Sequence, residues 1–408
     1  MNMVIDNARV KIRGEGFDYD NYQNHLFVGT TRSGKTTAML HVIERSIKRG
    51  EPVFIISGKN GAKDPYSMYS QVKALCGKYG KMLYIFSTDA SVDNAYIYNP
   101  FKYTEINGIS NTMTLMARYS DTHYESNFEF WIICICEILK MAGKELSLPN
   151  IMKLFTWESF SSMVKHMQTE GRLTKENAEE YLSYEDIADT ASASRPRFLK
   201  YLRGDGKKIL IGDKRSISVQ DVRDKDAVFM LDLDGLMYED FSCALGTMAI
   251  SDIRSMISNE TDFEKKKLIV FDELSVFFSP LLPNIYSQAS GFGYQSLAGS
   301  QSFSDMDKVS PDLAERIIEN SHVFGFLLQN SAKDAERAAE IIGTKKDTEI
   351  TRRKDGVIFD KVGSEKVIES FKVHPNEIKE LNPLEMIYYN KTAKDKAPIK
   401  IKWHFLNI

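Results

Sequence analysis

Cysteine is scarce in this chain of 408 residues. Cys76, Cys134, Cys136 and Cys243 are the four present, and no two stand as C-x-x-C. That spacing argues against a disulfide framework or a cysteine zinc site, and reduced, buried thiols in a cytoplasmic compartment are expected instead. The seven histidines are nowhere paired at metal-ligand spacing, so packing and surface roles are expected for them. A membrane-length apolar run is also missing. The longest candidate, from Phe130 to Leu139, covers about half a span and carries Glu137, and no signal peptide opens the sequence. Neither sign of charge dominates: 53 Lys and Arg face 56 Asp and Glu, a net charge of −3. A protein that coats nucleic acid over its whole surface is thereby disfavoured, whereas a local basic lining stays compatible. Repeats and Pro/Gly/Ser-rich tracts are lacking too, so a long disordered arm is not expected. A 43% hydrophobic content over this length suffices for one large α/β core plus a second module.

What is present is a phosphate-binding pattern. The apolar run ending at Val28 leads into Gly29-x-x-x-x-Gly34-Lys35-Thr36. Glycines at this spacing let backbone N–H groups wrap phosphates, the lysine supplies charge to the β/γ oxygens, and the threonine hydroxyl can ligand magnesium. The expected binding residues are Gly29, Thr30, Thr31, Arg32, Ser33, Gly34, Lys35, Thr36 and Thr37, with ATP and magnesium as cofactors. His25 to Val28 reads as a buried strand and Thr36 to Lys48 as an amphipathic helix, the order such a site requires.

Further strands are expected at Pro52 to Ser57 and Lys81 to Ser87, separated by a helix near Ser67 to Tyr79. This alternation predicts an α/β fold with a mostly parallel central sheet covered on both faces. Val4 to Gly14 alternates like an edge strand or hairpin arm. From about Glu105 to Tyr201 every segment reads at helical period, which predicts an inserted all-α domain. Strand character returns at Ala227 to Leu233, Leu268 to Phe271, Ser296 to Gly299 and His322 to Leu328, with a long helix from Tyr238 to Asn259. The predicted organisation is a nucleotide-binding domain split into residues 1–104 and 206–408 around an all-α domain at 105–205.

Lys266 to Glu273 (KKLIVFDE) is an apolar strand ending in two carboxylates. In a P-loop enzyme Asp272 would serve the metal and Glu273 would activate water against the γ-phosphate. Asp232 and Asp234 form a rival pair, less suitable because no acid directly follows Asp232. Gln301 ends the strand SLAGSQ and can sense the γ-phosphate if that strand lies beside that of Asp272. Glu273, Lys35 and Gln301 are thus the expected catalytic set, with Thr36 and Asp272 on the metal. Arg195 to Arg215 carries eight Lys and Arg against two Asp, with Phe198 and Tyr201 interleaved. It fits either a nucleic-acid contact or, somewhat better on its own, a solvated charged face. Glu176 to Asp189 holds six acids and no Lys or Arg; it could dock a basic partner but reads better as a solvent-facing helix surface. Lys345, Lys346, Arg352, Arg353 and Lys354 form a second basic patch, for which a surface hairpin is the plain alternative.

Together these pieces resemble the coupling-protein ATPases of conjugation and type IV secretion, the TraG/TraD-like branch of the HerA/FtsK superfamily. The resemblance rests on GTTRSGKT at Gly29 to Thr36, YNPF at Tyr98 to Phe101, and FEFW at Phe128 to Trp131 followed by LSLPNIMKLF. It also rests on LIVFDE at Leu268 to Glu273, SGFG at Ser290 to Gly293, GSQS at Gly299 to Ser302, and ENSHVFGF around Asn320. It implies a RecA-like motor core with the all-α insertion, a homo-hexameric ring, DNA (single-stranded in expectation) led through its centre, and a relaxase or other protein substrate. Three departures stand out. Only 28 residues precede Gly29 where family members usually begin with transmembrane helices, so a soluble variant, a chain reaching the membrane only through a partner, or a truncated chain is expected. Ser57-Gly58-Lys59-Asn60-Gly61 stands where an acid followed by Lys-Gly is common. Ser290 replaces an arginine expected to reach a neighbour's nucleotide, a role for which Arg316, Arg337 or Arg352 would have to substitute. A soluble HerA- or FtsK-like DNA pump and a slow, nucleotide-gated adaptor are the alternative readings.

Overall fold

The computed structural model describes residues 11–12, 17–59, 61–89, 91–204, 206–277, 279–352, 363–394 and 396–406. In chain order the strands are β1 (Lys11–Ile12), β2 (His25–Val28), β3 (Val53–Ser57), β4 (Leu83–Ser87), β5 (Ile97–Tyr98), β6 (Ser216–Ile217) and β7 (Val228–Asp232). They continue as β8 (Lys267–Asp272), β9 (Tyr294–Ser300), β10 (Val323–Phe326), β11 (Thr344–Arg352), β12 (Gly363–Phe371), β13 (Glu385–Asn390) and β14 (Ile399–Lys402). Contacts divide the chain into two units. Unit one takes the described residues of 1–41 and 299–407, and unit two those of 42–298.

In unit two the strand order is β9-β8-β3-β7-β4. β3 runs parallel to both β7 and β8, and β4 runs parallel to β7. The sequence explains this: VFIIS, VFMLD and KLIVFD are buried at every position, as strands covered on both faces must be. The helix Met68–Tyr79 joins β3 to β4. It starts where Ser67 Oγ accepts from the Ser70 N–H and stops at Gly80, whose φ of 63° gives a left-handed cap.

Between β5 and β6 the chain is helical, through Ile106–Ala117, Thr122–Met141, Leu148–Leu154, Trp157–Thr169, Lys175–Tyr181, Glu185–Ser192 and Arg195–Leu199. It enters and leaves through the parallel pair β5 and β6. Phe128, Trp131, Ile135 and Ile138 make the buried stripe of the longest helix. Trp131 Nε1 donates to the Phe155 carbonyl at 3.0 Å, satisfying a polar group inside an aromatic core.

In the basic run from Arg195 to Arg215 most of the cations are exposed, as a charged face would have them, whereas the aromatics are not. Phe198 stacks on Phe128 with centroids 5.5 Å apart, and Tyr201 is buried near Phe241. Three of its cations also bond to backbone carbonyls: Arg195 donates to that of Met152, Arg197 to that of Ala117, and Lys208 to those of Asp89 and Val92. Lys200 and Lys214 pair with Asp240 and Asp93. The aromatics belong to the core and many of the cations tether it, so the run is not a stacking platform for bases. Glu176 to Asp189 is split between two short helices.

In unit one the order is β1-β14-β13-β10-β2. β10 is parallel to β2, whereas β13 runs antiparallel to β10 and β14. Gly325 in β10 is required by close packing, since a Cβ there would lie 2.5 Å from Met386 Sδ and 2.7 Å from Phe27. β11 and β12 form an antiparallel hairpin that carries Lys345 and Lys346, while Arg353 and Lys354 lie outside the described residues. So does most of Val4 to Gly14, of which Lys11–Ile12 pairs with β14. Among the described residues no helix is long and apolar enough to cross a membrane.

Candidate functional site

In unit one the loop after β2 is suspended from its neighbours. The Gly29 N–H donates to the Ser300 carbonyl at 3.1 Å and the Thr30 N–H to that of Leu328 at 2.9 Å. The loop then turns through positive φ at Arg32 (65°) and Gly34 (99°) before the helix Lys35–Lys48 begins. Gly34 has no room for a side chain: a Cβ would lie 2.8 Å from Leu384 Cδ2 and 3.0 Å from the Leu384 backbone. Leu384 also donates its N–H to the Ser33 carbonyl at 2.8 Å. It therefore buttresses the loop from 350 residues away, a role that no local pattern in Asn382-Pro383-Leu384-Glu385 announces.

The loop suits a phosphate on observations of its own. Lys35 is only 4% exposed, and Ser33 Oγ is buried with no hydrogen-bond partner among the described residues. A buried, unsatisfied hydroxyl is costly unless a ligand completes it. The helix that starts at Lys35 adds the positive end of its dipole. Thr36 is half-buried, Thr37 is buried, and Thr31 and Arg32 are exposed.

Gln301 is brought to this loop. Thr31 Oγ1 donates to Gln301 Oε1 at 3.0 Å. Asn330 Nδ2 donates to Thr30 Oγ1 at 3.2 Å, a second polar contact that no motif around Asn330 announces. Of the arginines considered as substitutes for Ser290, Arg337 is committed to its own unit. Its guanidinium forms two bonds to Asp307, at 2.9 and 3.0 Å, and one to Glu315 at 2.8 Å. Arg316 is exposed on the helix Pro311–Glu319 and Arg352 ends β11.

In unit two β8 ends at Asp272, and Glu273 follows with φ of 61°. Both carboxylates are buried. The Gly58 N–H donates to the Asp272 carbonyl at 3.0 Å, and Lys59 Nζ lies 2.5 Å from Glu273 Oε1. Burial pulls the Lys59 ammonium down, but the charges of Asp272 and Glu273 more than offset it, so its pKa is raised. This lysine belongs to the segment that departs from the acid-Lys-Gly pattern.

The rival acids are otherwise engaged. Asp232 ends β7 and accepts from Ser87 Oγ at 2.8 Å, and burial pushes its carboxyl up to about 7. Asp234 Oδ1 accepts from the N–H groups of Leu236 and Met237, at 3.1 and 3.0 Å, and so shapes a turn. Ser290 is exposed in the 3-10 turn Ala289–Phe292.

Comparison with known proteins adds to this geometry. Residues 266–383 match the family model described as the TraM recognition site of TraD and TraG. No curated protein matches the chain. Solved structures match over nearly all of it. The bacterial conjugative coupling protein TrwBdeltaN70 in its unbound monoclinic form aligns at a TM-score of 0.66 and 14% identity, over 94% of this chain and 85% of that one. The plasmid coupling protein TrwB in complex with ADP and Mg2+ gives 0.66 at 15% identity, over 98% and 89%. VirB4 of Thermoanaerobacter pseudethanolicus gives 0.60 at 13%, over 94% and 90%. The architecture is thus the RecA-like P-loop NTPase fold, with a mostly parallel sheet and helical insertions.

Proposed function

We propose that this chain is an ATP-hydrolysing, DNA-translocating motor of the conjugative coupling type. The observation that carries the reading is the phosphate loop itself, with its buried Lys35, its unsatisfied Ser33 hydroxyl and its Thr31–Gln301 contact. The similarity of fold to a coupling protein in complex with ADP and Mg2+ supports ATP and magnesium as its ligands.

In this reading the loop N–H groups and Lys35 hold the phosphates, and Thr36 and Asp272 hold magnesium. The metal, when bound, neutralises charge on the phosphate oxygens. Glu273 takes a proton from the attacking water as the bond from the γ-phosphorus to the ADP oxygen breaks, and Gln301 orients that water. A homo-hexamer threading single-stranded DNA, fed by a relaxase or another protein substrate and reaching the membrane only through a partner, completes the proposal.

ATPase assays with and without DNA test it. Wild type should be stimulated by DNA, Lys35→Ala should lose nucleotide binding, and Glu273→Gln should bind but not turn over. Absence of stimulation at every salt concentration would argue against a DNA motor. The exposed Ser290, in place of an arginine, favours one second reading, a nucleotide-gated adaptor. Brisk turnover by the purified protein would eliminate it.

A further inference from the structure

The lysine after β3 has no role in the account above, yet the fold delivers it to the carboxylate on which hydrolysis depends. β3 and β8 are parallel neighbours with Ser57 opposite Asp272. The ladder extends one step further through the Gly58 N–H to the Asp272 carbonyl, at 3.0 Å. Gly58 is therefore level with Glu273, and Lys59 follows one residue beyond it.

We propose that Lys59 is a positioning residue for hydrolysis, its ammonium gripping Glu273 Oε1 and so fixing the direction in which the carboxylate meets the attacking water. The inference rests on the reading of Glu273 as the base.

Three observations support it. Glu273 is 2% exposed, and a buried carboxylate needs a cation or donors to stay ionised. Its backbone sits at φ 61°, a region non-glycine residues seldom occupy, so its side chain leaves the strand in a direction ordinary β geometry would not give. The two segments are also tightly packed: a Cβ on Gly58 would lie 2.7 Å from both Cβ and Cγ2 of Val276, in the helical turn Leu274–Phe277 that follows Glu273. Lys59 thus reaches Glu273 from a loop seated directly on that turn. Its own side chain stays 43% exposed, so the lysine reaches Glu273 from the solvent side. A misplacement of about 1 Å in such a group can cost on the order of 10²-fold in rate.

The test uses the full chain as wild type, Lys59→Met, Lys59→Arg, Glu273→Gln and the double variant K59M/E273Q, each checked for an unchanged melting temperature. We expect K59M to lower kcat about 10- to 100-fold with the KM for ATP nearly constant. Arginine should restore part of the loss, and the double variant should be no slower than E273Q. K59M at or above the wild-type kcat beside an inactive E273Q overturns this inference alone. A loss confined to KM, or two effects that multiply in the double variant, also overturns it. E273Q turning over like wild type overturns the reading of Glu273 as base, and this inference with it.

Discussion

Thr31 and Gln301 are 270 residues apart in sequence and meet at 3.0 Å, the hydroxyl donating to the side-chain carbonyl oxygen. Gln301 follows directly on β9, so the strand end and the phosphate loop share one polar contact. If the amide orients water or senses the γ-phosphate, Gln301→Ala should lower kcat about 10²-fold with little change in the affinity for ATP. Thr31→Val, which removes only the contact to the amide, should cost a few-fold, about one unsatisfied hydrogen bond. Steady-state kinetics with Mg-ATP compare the two, and a Q301A enzyme with wild-type kcat would remove Gln301 from the mechanism.

Gly34→Ala should damage the loop in a way that truncating its neighbour does not repair. Positive φ costs an alanine about 1–2 kcal/mol, and overpacking adds about 1–3 kcal/mol. Two of the three closest contacts of the added Cβ are to the backbone N and Cα of Leu384. Leu384→Ala relieves only the Cδ2 contact. The melting temperature and the fluorescence titration of a labelled ATP should both fall in G34A and stay low in G34A/L384A. Recovery in the double variant would show that the leucine side chain, not its backbone, limits the space.

The same contrast explains how much of the fold and the candidate site was legible in the sequence. The phosphate loop, β3, β7 and β8 announce themselves because each is a continuous run whose chemistry lies within about ten residues. The helical segment from Ile106 onward is legible for the same reason, since its periodicity is local. Leu384, Asn330 and the Lys59–Glu273 pair were not, because each depends on which elements become neighbours in space. The Arg195 to Arg215 run was legible only in part, since most of its cations are exposed while its aromatics are buried. Composition reveals how many cations and aromatics a segment carries, whereas the register of a short helix decides that Phe198 points into the core.

Asp232 gives a prediction in pH. Its folded pKa of about 7 lies above the unfolded value of about 3.9, because burial penalises the ionised form. The associated stability is complete below about pH 4 and is lost as pH rises through 7. Asp232→Asn keeps the acceptor for Ser87 Oγ and cannot ionise. It should therefore gain on wild type as pH rises from 5 to 8, by an amount on the order of 3 kcal/mol at full ionisation. Melting curves of both proteins at the two pH values check this, and a difference that does not vary with pH would show that Asp232 is already ionised in the folded protein throughout the range, as it is in the unfolded chain.

Gly58 and Gly235 both close on Val276, and one substitution should separate them. A Cβ on Gly235 would meet Val276 Cγ1 at 2.7 Å and Cγ2 at 3.1 Å, with only a 3.4 Å approach to the Gly58 carbonyl oxygen besides. A Cβ on Gly58 would meet Val276 Cβ itself at 2.7 Å, as well as Cγ2. Each glycine-to-alanine change should therefore destabilise by about 1–3 kcal/mol through overpacking. Val276→Ala removes both γ carbons and keeps Cβ, so it should restore Gly235→Ala to near the stability of V276A alone while leaving Gly58→Ala impaired. Denaturation of the three single and two double variants decides it. Equal rescue of both would mean that the turn after Glu273 yields to pressure from the Lys59 loop, and that the carboxylate is held by its ion pair rather than by the packing behind it.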